Sequence, residues 1–149
     1  MLSTILRRLA TAAAAGAILV GATLTMASPA TAALPYPTCY GKRTAATFPD
    51  GALVYVPAVS STGSTSCDLR MGNYNNEAVK VLQNAINKCN KPQNWAALVV
   101  DGDFGQKTKD YLLWAQEIRG TTVDGTYGPL TRDSLFWPLP SGAGCRQLA

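Results

Sequence analysis

The chain has no histidine, only two glutamates (Glu77 and Glu117), and charged side chains at just 15% of its 149 residues. Each shortage excludes something. Without histidine, the usual catalytic zinc sites and cysteine–histidine nucleophile pairs lack a required ligand or base. Glu77 and Glu117 fall where helix-surface charges belong, so a glycosidase-type carboxylate pair is not expected. Basic residues outnumber acidic ones by 13 to nine, but no run of like charges occurs. A nucleic-acid partner would need a clustered basic patch. No cysteines stand in the close pairs of a zinc site. The expectation is a protein that is not an enzyme, with no metal, no cofactor and no nucleic-acid partner.

Long apolar runs are also missing, with one exception at the start. Arg7 and Arg8 form a positive n-region, an alanine-rich apolar run from Leu9 to about Thr25 follows, and Ala30-Thr31-Ala32 supplies a small-residue cleavage site. Residues 1–32 therefore look like a signal peptide rather than a retained anchor, because the run is short for a bilayer span and the cleavage signal follows directly. The twin arginines lack the fuller context of the Tat signal, so ordinary secretion is expected. Cleavage after Ala32 removes 32 of 149 residues and leaves 117, enough for one domain with a modest core. Arg7 and Arg8 leave with the signal, so the mature net charge falls to +2. No membrane association is expected after processing.

Cys39, Cys67, Cys89 and Cys145 all survive processing, and an even count in an oxidising compartment implies two disulfides. Three pairings are possible. Cys39–Cys67 with Cys89–Cys145 is favoured, because the first pair brackets a segment without helical pattern and the second ties a helix end to the C-terminal tail. In the chain-entropy picture the two loops would contribute about 3.6 and 4.2 kcal/mol.

The remaining chain divides by texture. Residues 33–68 are rich in Pro, Ser, Thr and Gly and form a loop-and-strand extension, with one convincing strand at Ala52-Leu53-Val54-Tyr55-Val56 that Pro57 should end. From Asn75 the pattern becomes helical: Ala78, Val79, Leu82, Ala85, Ile86 and Cys89 recur at spacings of three and four, with Asn75 or Asn76 as N-cap. A second helix follows Gly105, with Thr108, Tyr111, Leu112, Ala115 and Ile118 on one face and Gly120 as C-cap. A short third helix opens at Pro129 and closes before Pro138.

Two of these helices begin inside a repeat. Residues 100–112 and 123–135 are identical at seven of 13 positions, at a constant offset of 23: Val100, Asp101, Gly102, Gly105, Thr108, Asp110 and Leu112 recur as Val123, Asp124, Gly125, Gly128, Thr131, Asp133 and Leu135. Phe104 is replaced by Tyr127. In each copy a short extended stretch ending in valine should enter an Asp-Gly turn and then a Gly-led helix. Gly102 and Gly125 permit positive φ, Gly105 and Gly128 let backbone pass close, Asp101 and Asp124 accept from nearby amides, Thr108 and Thr131 brace the helix start, and the aromatics plug the gap. A fainter echo at an offset of 33 relates Val79, Leu82 and Gln83 to Leu112, Ala115 and Gln116.

These residues together, from Ala78-Val79 and Leu82-Gln83 through both Asp-Gly-x-Phe/Tyr-Gly motifs to Leu135, resemble the peptidoglycan-binding domain family, a small three-helix module usually attached to cell-wall hydrolases. The resemblance covers roughly Leu69 to Trp137. It implies a mainly α protein: a three-helix domain over 69–138, preceded by the 33–68 extension and followed by a 139–149 tail tied down by disulfide. The family commonly carries a bulky apolar residue where Ala115 stands; here Trp114 either refills the core or is exposed.

The resemblance further implies a secreted, non-catalytic and monomeric module that binds peptidoglycan, through its glycan or its stem peptides. Sugars are held by aromatic faces and amide or hydroxyl donors, and stem-peptide carboxylates by arginine forks. The candidate contacts on those grounds are Asn73, Tyr74, Gln83, Trp114, Tyr127 and Arg132. A second class stays open: a secreted interaction or inhibitor module acting on an extracellular protein such as a wall hydrolase.

Overall fold

A computed structural model describes residues 36–148; the expected signal peptide lies outside them. Helix α1 (Glu77–Ala85) starts where Asn76 turns extended and its Oδ1 accepts the Ala78 N–H at 2.8 Å, with Glu77 placed favourably in the first turn. Ala78, Val79, Leu82, Gln83 and Ala85 are its buried face. The helix widens into a π turn over Ile86–Asn90. Buried Asn90 closes it: Nδ2 donates to Ala85 O at 3.0 Å and Phe136 O at 2.7 Å, while Oδ1 accepts from Phe136 N–H at 3.1 Å.

Helix α2 (Gln106–Arg119) ends at Gly120, whose φ of 66° is left-handed. Its buried residues are Thr108, Tyr111, Leu112, Ala115 and Gln116. Ile118, expected on that face, is 46% exposed; the buried face runs through Leu112, Ala115 and Gln116 instead. Helix α3 (Pro129–Ser134) has its proline in the first turn, where a missing N–H is harmless.

The expected mainly α architecture is corrected by a four-stranded antiparallel sheet. Strands β1 (Gly41–Phe48), β2 (Leu53–Ala58), β3 (Phe136–Pro138) and β4 (Cys145–Leu148) lie in the order β2-β1-β4-β3. The supposed loop extension and tail thus pair with each other, through Thr47 with Leu148 and Phe48 with Gln147. Pro57 does not end β2; the strand continues to Ala58, and its position at the sheet edge makes a missing N–H tolerable. The valines before each Asp-Gly turn lie outside any strand, and Val99, Val100 and Val123 are exposed.

Helices and sheet share one core. Val54 and Val56 of β2 cluster with Leu82, Ile86, Phe104, Leu112, Tyr127, Leu135 and Trp137, all fully buried. The disulfides are Cys39–Cys67 and Cys89–Cys145, with Cα separations of 5.2 and 5.9 Å. The first joins the extension to itself within the core, and the second ties the π turn to β4. Trp114 is half-buried against the core, its ring 5.9 Å from that of Trp95.

Candidate functional site

The repeat builds the same object twice. In the first copy, Gln83 reaches from α1 into the Asp-Gly turn. Its Nε2 lies 2.8 Å from Asp101 Oδ1, 3.1 Å from Asp103 O and 3.3 Å from Thr108 Oγ1, and its Oε1 accepts the Gly102 N–H at 3.0 Å. Asp101 Oδ1 also accepts from Asp103 N–H at 2.9 Å, and Thr108 Oγ1 donates to Asp103 O at 3.2 Å. In the second copy, Gln116 of α2 does the same. Nε2 lies 3.0 Å from Asp124 Oδ1, 2.9 Å from Thr126 O and 3.0 Å from Thr131 Oγ1, and Oε1 accepts from Gly125 N–H at 2.9 Å and Asp124 N–H at 3.2 Å. Asp124 and Thr131 complete the pattern on Thr126, at 2.8 and 3.2 Å.

Each clasp is a buried amide with both ends in use, which is the condition under which burying it is not penalised. The Asp103 N–H and then the Gln83 amide hold the Asp101 carboxyl below the usual range. Gly102 (φ 88°) and Gly125 (φ 69°) sit at left-handed turns. A Cβ on Gly102 would stand 2.9 Å from Asn76 O and 3.0 Å from Asn76 N, whereas one on Gly125 would meet only the side chains of Lys109 and Leu113. Gly105 and Gly128 have another use than close approach, since a Cβ on either would meet open space. They are the extended N-caps of α2 and α3 and offer no capping side chain, so each helix start stays uncovered.

A strap formed by residues 69–76 ties both turns together. Leu69 and Tyr127 exchange backbone hydrogen bonds at 2.9 and 2.8 Å, Gly72 N–H donates to Phe104 O at 3.1 Å, and Phe104 N–H donates to Asn73 O at 2.8 Å. Phe104 and Tyr127 are fully buried pegs. The Tyr127 hydroxyl has no hydrogen-bond partner among the described residues, and burial pushes its pKa well up.

The six expected contact residues are scattered by this arrangement. Gln83 is enclosed in the first clasp and Tyr127 is closed to solvent. Asn73 turns its Oδ1 to the Arg70 N–H at 2.8 Å. Arg132 grips Asp133, with Nε–Oδ1 at 2.6 Å, and reaches Thr65 Oγ1 at 2.6 Å; the Asp133 carboxylate raises its pKa. Trp114 leans on Trp95, and Tyr74 alone is well exposed, at 60%. One crevice touches Gln83 and another Arg132, and neither touches a second member of the set.

What the fold does gather is a pair of equivalent crevices, one beside each clasp, of about 240 and 330 Å³. Asp101, Asp103, Gly105, Gln106, Lys107 and Thr108 line the first; Asp124, Thr126, Gly128, Pro129, Leu130 and Thr131, at the same offset of 23, line the second. The positions identical between copies build the turn, and three divergent ones (103/126, 106/129, 107/130) shape the crevice walls. Val99 and Thr122, one position before the repeat and at the same offset, add a further divergent pair; the remaining walls are Gln83 and Leu98 in the first crevice and Tyr36 and Asp68 in the second. The differences between the copies are the available signal for these residues, whereas the contacts expected from sequence rest on side-chain type.

Paired turns, each clasped by a glutamine from the helix before it, define a small recognition scaffold with two outward crevices. Residues 75–135, the segment that holds both clasps, match the family described as "Putative peptidoglycan binding domain". Comparisons with curated proteins and with solved structures found no significant match. Tyr36 and Asp68 lie outside the matched span.

Proposed function

We propose that the protein is exported and, as a monomer, binds peptidoglycan without cleaving it, through the surface beside the two clasps. The observation that carries this is the pair of repeat-equivalent crevices beside the two clasps of the family-matched segment. Support for a non-catalytic role comes from where the candidate chemical groups are used. Glu77 is paired with Lys42 at 3.3 Å and Lys80 at 3.7 Å, Glu117 is exposed near the end of α2, and all four cysteines are in disulfides. Two disulfides and the pattern of residues 1–32 support export.

The test mixes the oxidised protein with insoluble peptidoglycan and centrifuges. The protein is expected to leave the supernatant while releasing neither reducing ends nor free amines. Release of either product sinks the non-catalytic reading. A folded sample that stays in the supernatant sinks wall binding and moves the assignment to an extracellular protein partner.

A further inference from the structure

Asp68 is 3% exposed and lines the second crevice. Its backbone is fully used, with N–H donating to Pro37 O and C=O accepting from Cys39 N–H, both at 2.9 Å. The neighbours on either side are anchored as well, Cys67 by its disulfide and Leu69 by Tyr127. The carboxylate therefore has little freedom to swing out to water. Yet its Oδ1 is shut off from solvent with no hydrogen-bond partner among the described residues. A buried carboxylate oxygen without a hydrogen bond opposes folding, and burial pushes the pKa up although the charge of Arg70 partly offsets it. A fold that holds such a group rigidly at a crevice wall, with no direct ion pair to it among the described residues, presents a carboxylate that a cationic ligand can pair with.

The rest of the crevice narrows the ligand class. Tyr36, Pro129 and Leu130 are apolar walls, and Thr122 and Thr126 supply hydroxyl acceptors. The other acid, Asp124, already has its Oδ1 engaged by Gln116 and Thr126. At the position of Leu130 the first crevice carries cationic Lys107, and it has no acid in the place of Asp68. We propose that the second crevice binds a primary ammonium on a short aliphatic stem, with Asp68 as its counter-ion. Three N–H donors match one carboxylate and flanking hydroxyls, and the stem lies along Leu130 and Tyr36. Resting on the peptidoglycan reading, the natural source is the free amine of a diamino-acid side chain in the stem peptide. The extension before the family-matched segment then supplies the charge that sets the specificity of the second repeat.

The probe is Nα-acetyl-lysine amide, titrated into the oxidised, isotope-labelled protein and followed by amide chemical shifts. Saturable shifts are expected at Asp68 and Thr126–Thr131 and not at Asp103–Thr108 of the first crevice. The doubly acetylated analogue, which has no ammonium, should give none. Asp68→Asn should weaken binding at least tenfold with an otherwise unchanged spectrum. Leu130→Lys, at a 70% exposed position that leaves folding alone, should do the same by repulsion. Equal shifts in both crevices, or equal binding of the acetylated analogue, overturns the proposal. Sedimentation with peptidoglycan alongside an unresponsive second crevice overturns it while leaving wall binding intact. Amine binding without sedimentation supports the crevice and removes the wall reading.

Discussion

The two halves of the repeat have the same interior and different exteriors. Inside, Gln83 and Gln116 make matching sets of bonds to an aspartate, a glycine amide, a carbonyl and a threonine. Outside, one crevice is edged by Lys107 and the other by Leu130 and a buried, unpartnered Asp68. What the backbone demands is the same in both copies, and the crevice walls differ. The residues that define the motif and those that distinguish the crevices are therefore different, and two of the latter, Tyr36 and Asp68, come from far outside the repeat.

The largest expected effect comes from breaking the shared interior. Gln83→Ala and Gln116→Ala should each cost about 2–4 kcal/mol, because each strands several buried polar groups at once. If the clasps are equivalent, denaturant unfolding will give similar losses for both. A Gln116 variant of near wild-type stability would break the comparison.

The glycines should separate the copies. Gly102→Ala is expected to cost about 3 kcal/mol, since the new methyl meets Asn76 backbone at an unfavourable φ; Gly125→Ala should cost about 1 kcal/mol, because flexible Lys109 can retreat. Equal losses in thermal or urea unfolding would mean that backbone conformation alone sets both.

The smallest effect comes from making the pegs alike. Tyr127→Phe converts the second peg into the first and removes a buried hydroxyl that has no partner. Stability should be unchanged or rise by up to about 1 kcal/mol. A clear loss would show that the phenol is bonded in solution.

Much of the scaffold was legible because special backbone leaves a compositional trace. Asp-Gly at positive φ, Pro129 in the first turn of α3, Gly120 past the end of α2, and the alternation of Val79, Leu82 and Ile86 each reflect a local physical need. The sheet was not legible. Strand β1 carries Lys42, Arg43, Thr44 and Ala46 on exposed positions and shows no apolar alternation, and β3 and β4 are three and four residues long. Their strand character comes from partners far away in sequence. The second crevice was hidden for the same reason, since Tyr36, Asp68 and Leu130 meet only through the fold. A buried carboxylate without a partner also looks, in sequence, like any surface aspartate.

Strand β4 is the last described element along the chain, yet it sits between β1 and β3. Strands β1 and β2, adjacent in sequence, can pair early in folding, but the gap beside β1 stays unfilled until residues 145–148 arrive. The open flank of β1 is an unpaired edge for that interval, exposed to pairing with another chain. Closing the sheet also brings Cys145 to Cys89. Formation of that disulfide therefore works as a completion latch: it marks the molecules whose last strand has found its slot and holds that strand there.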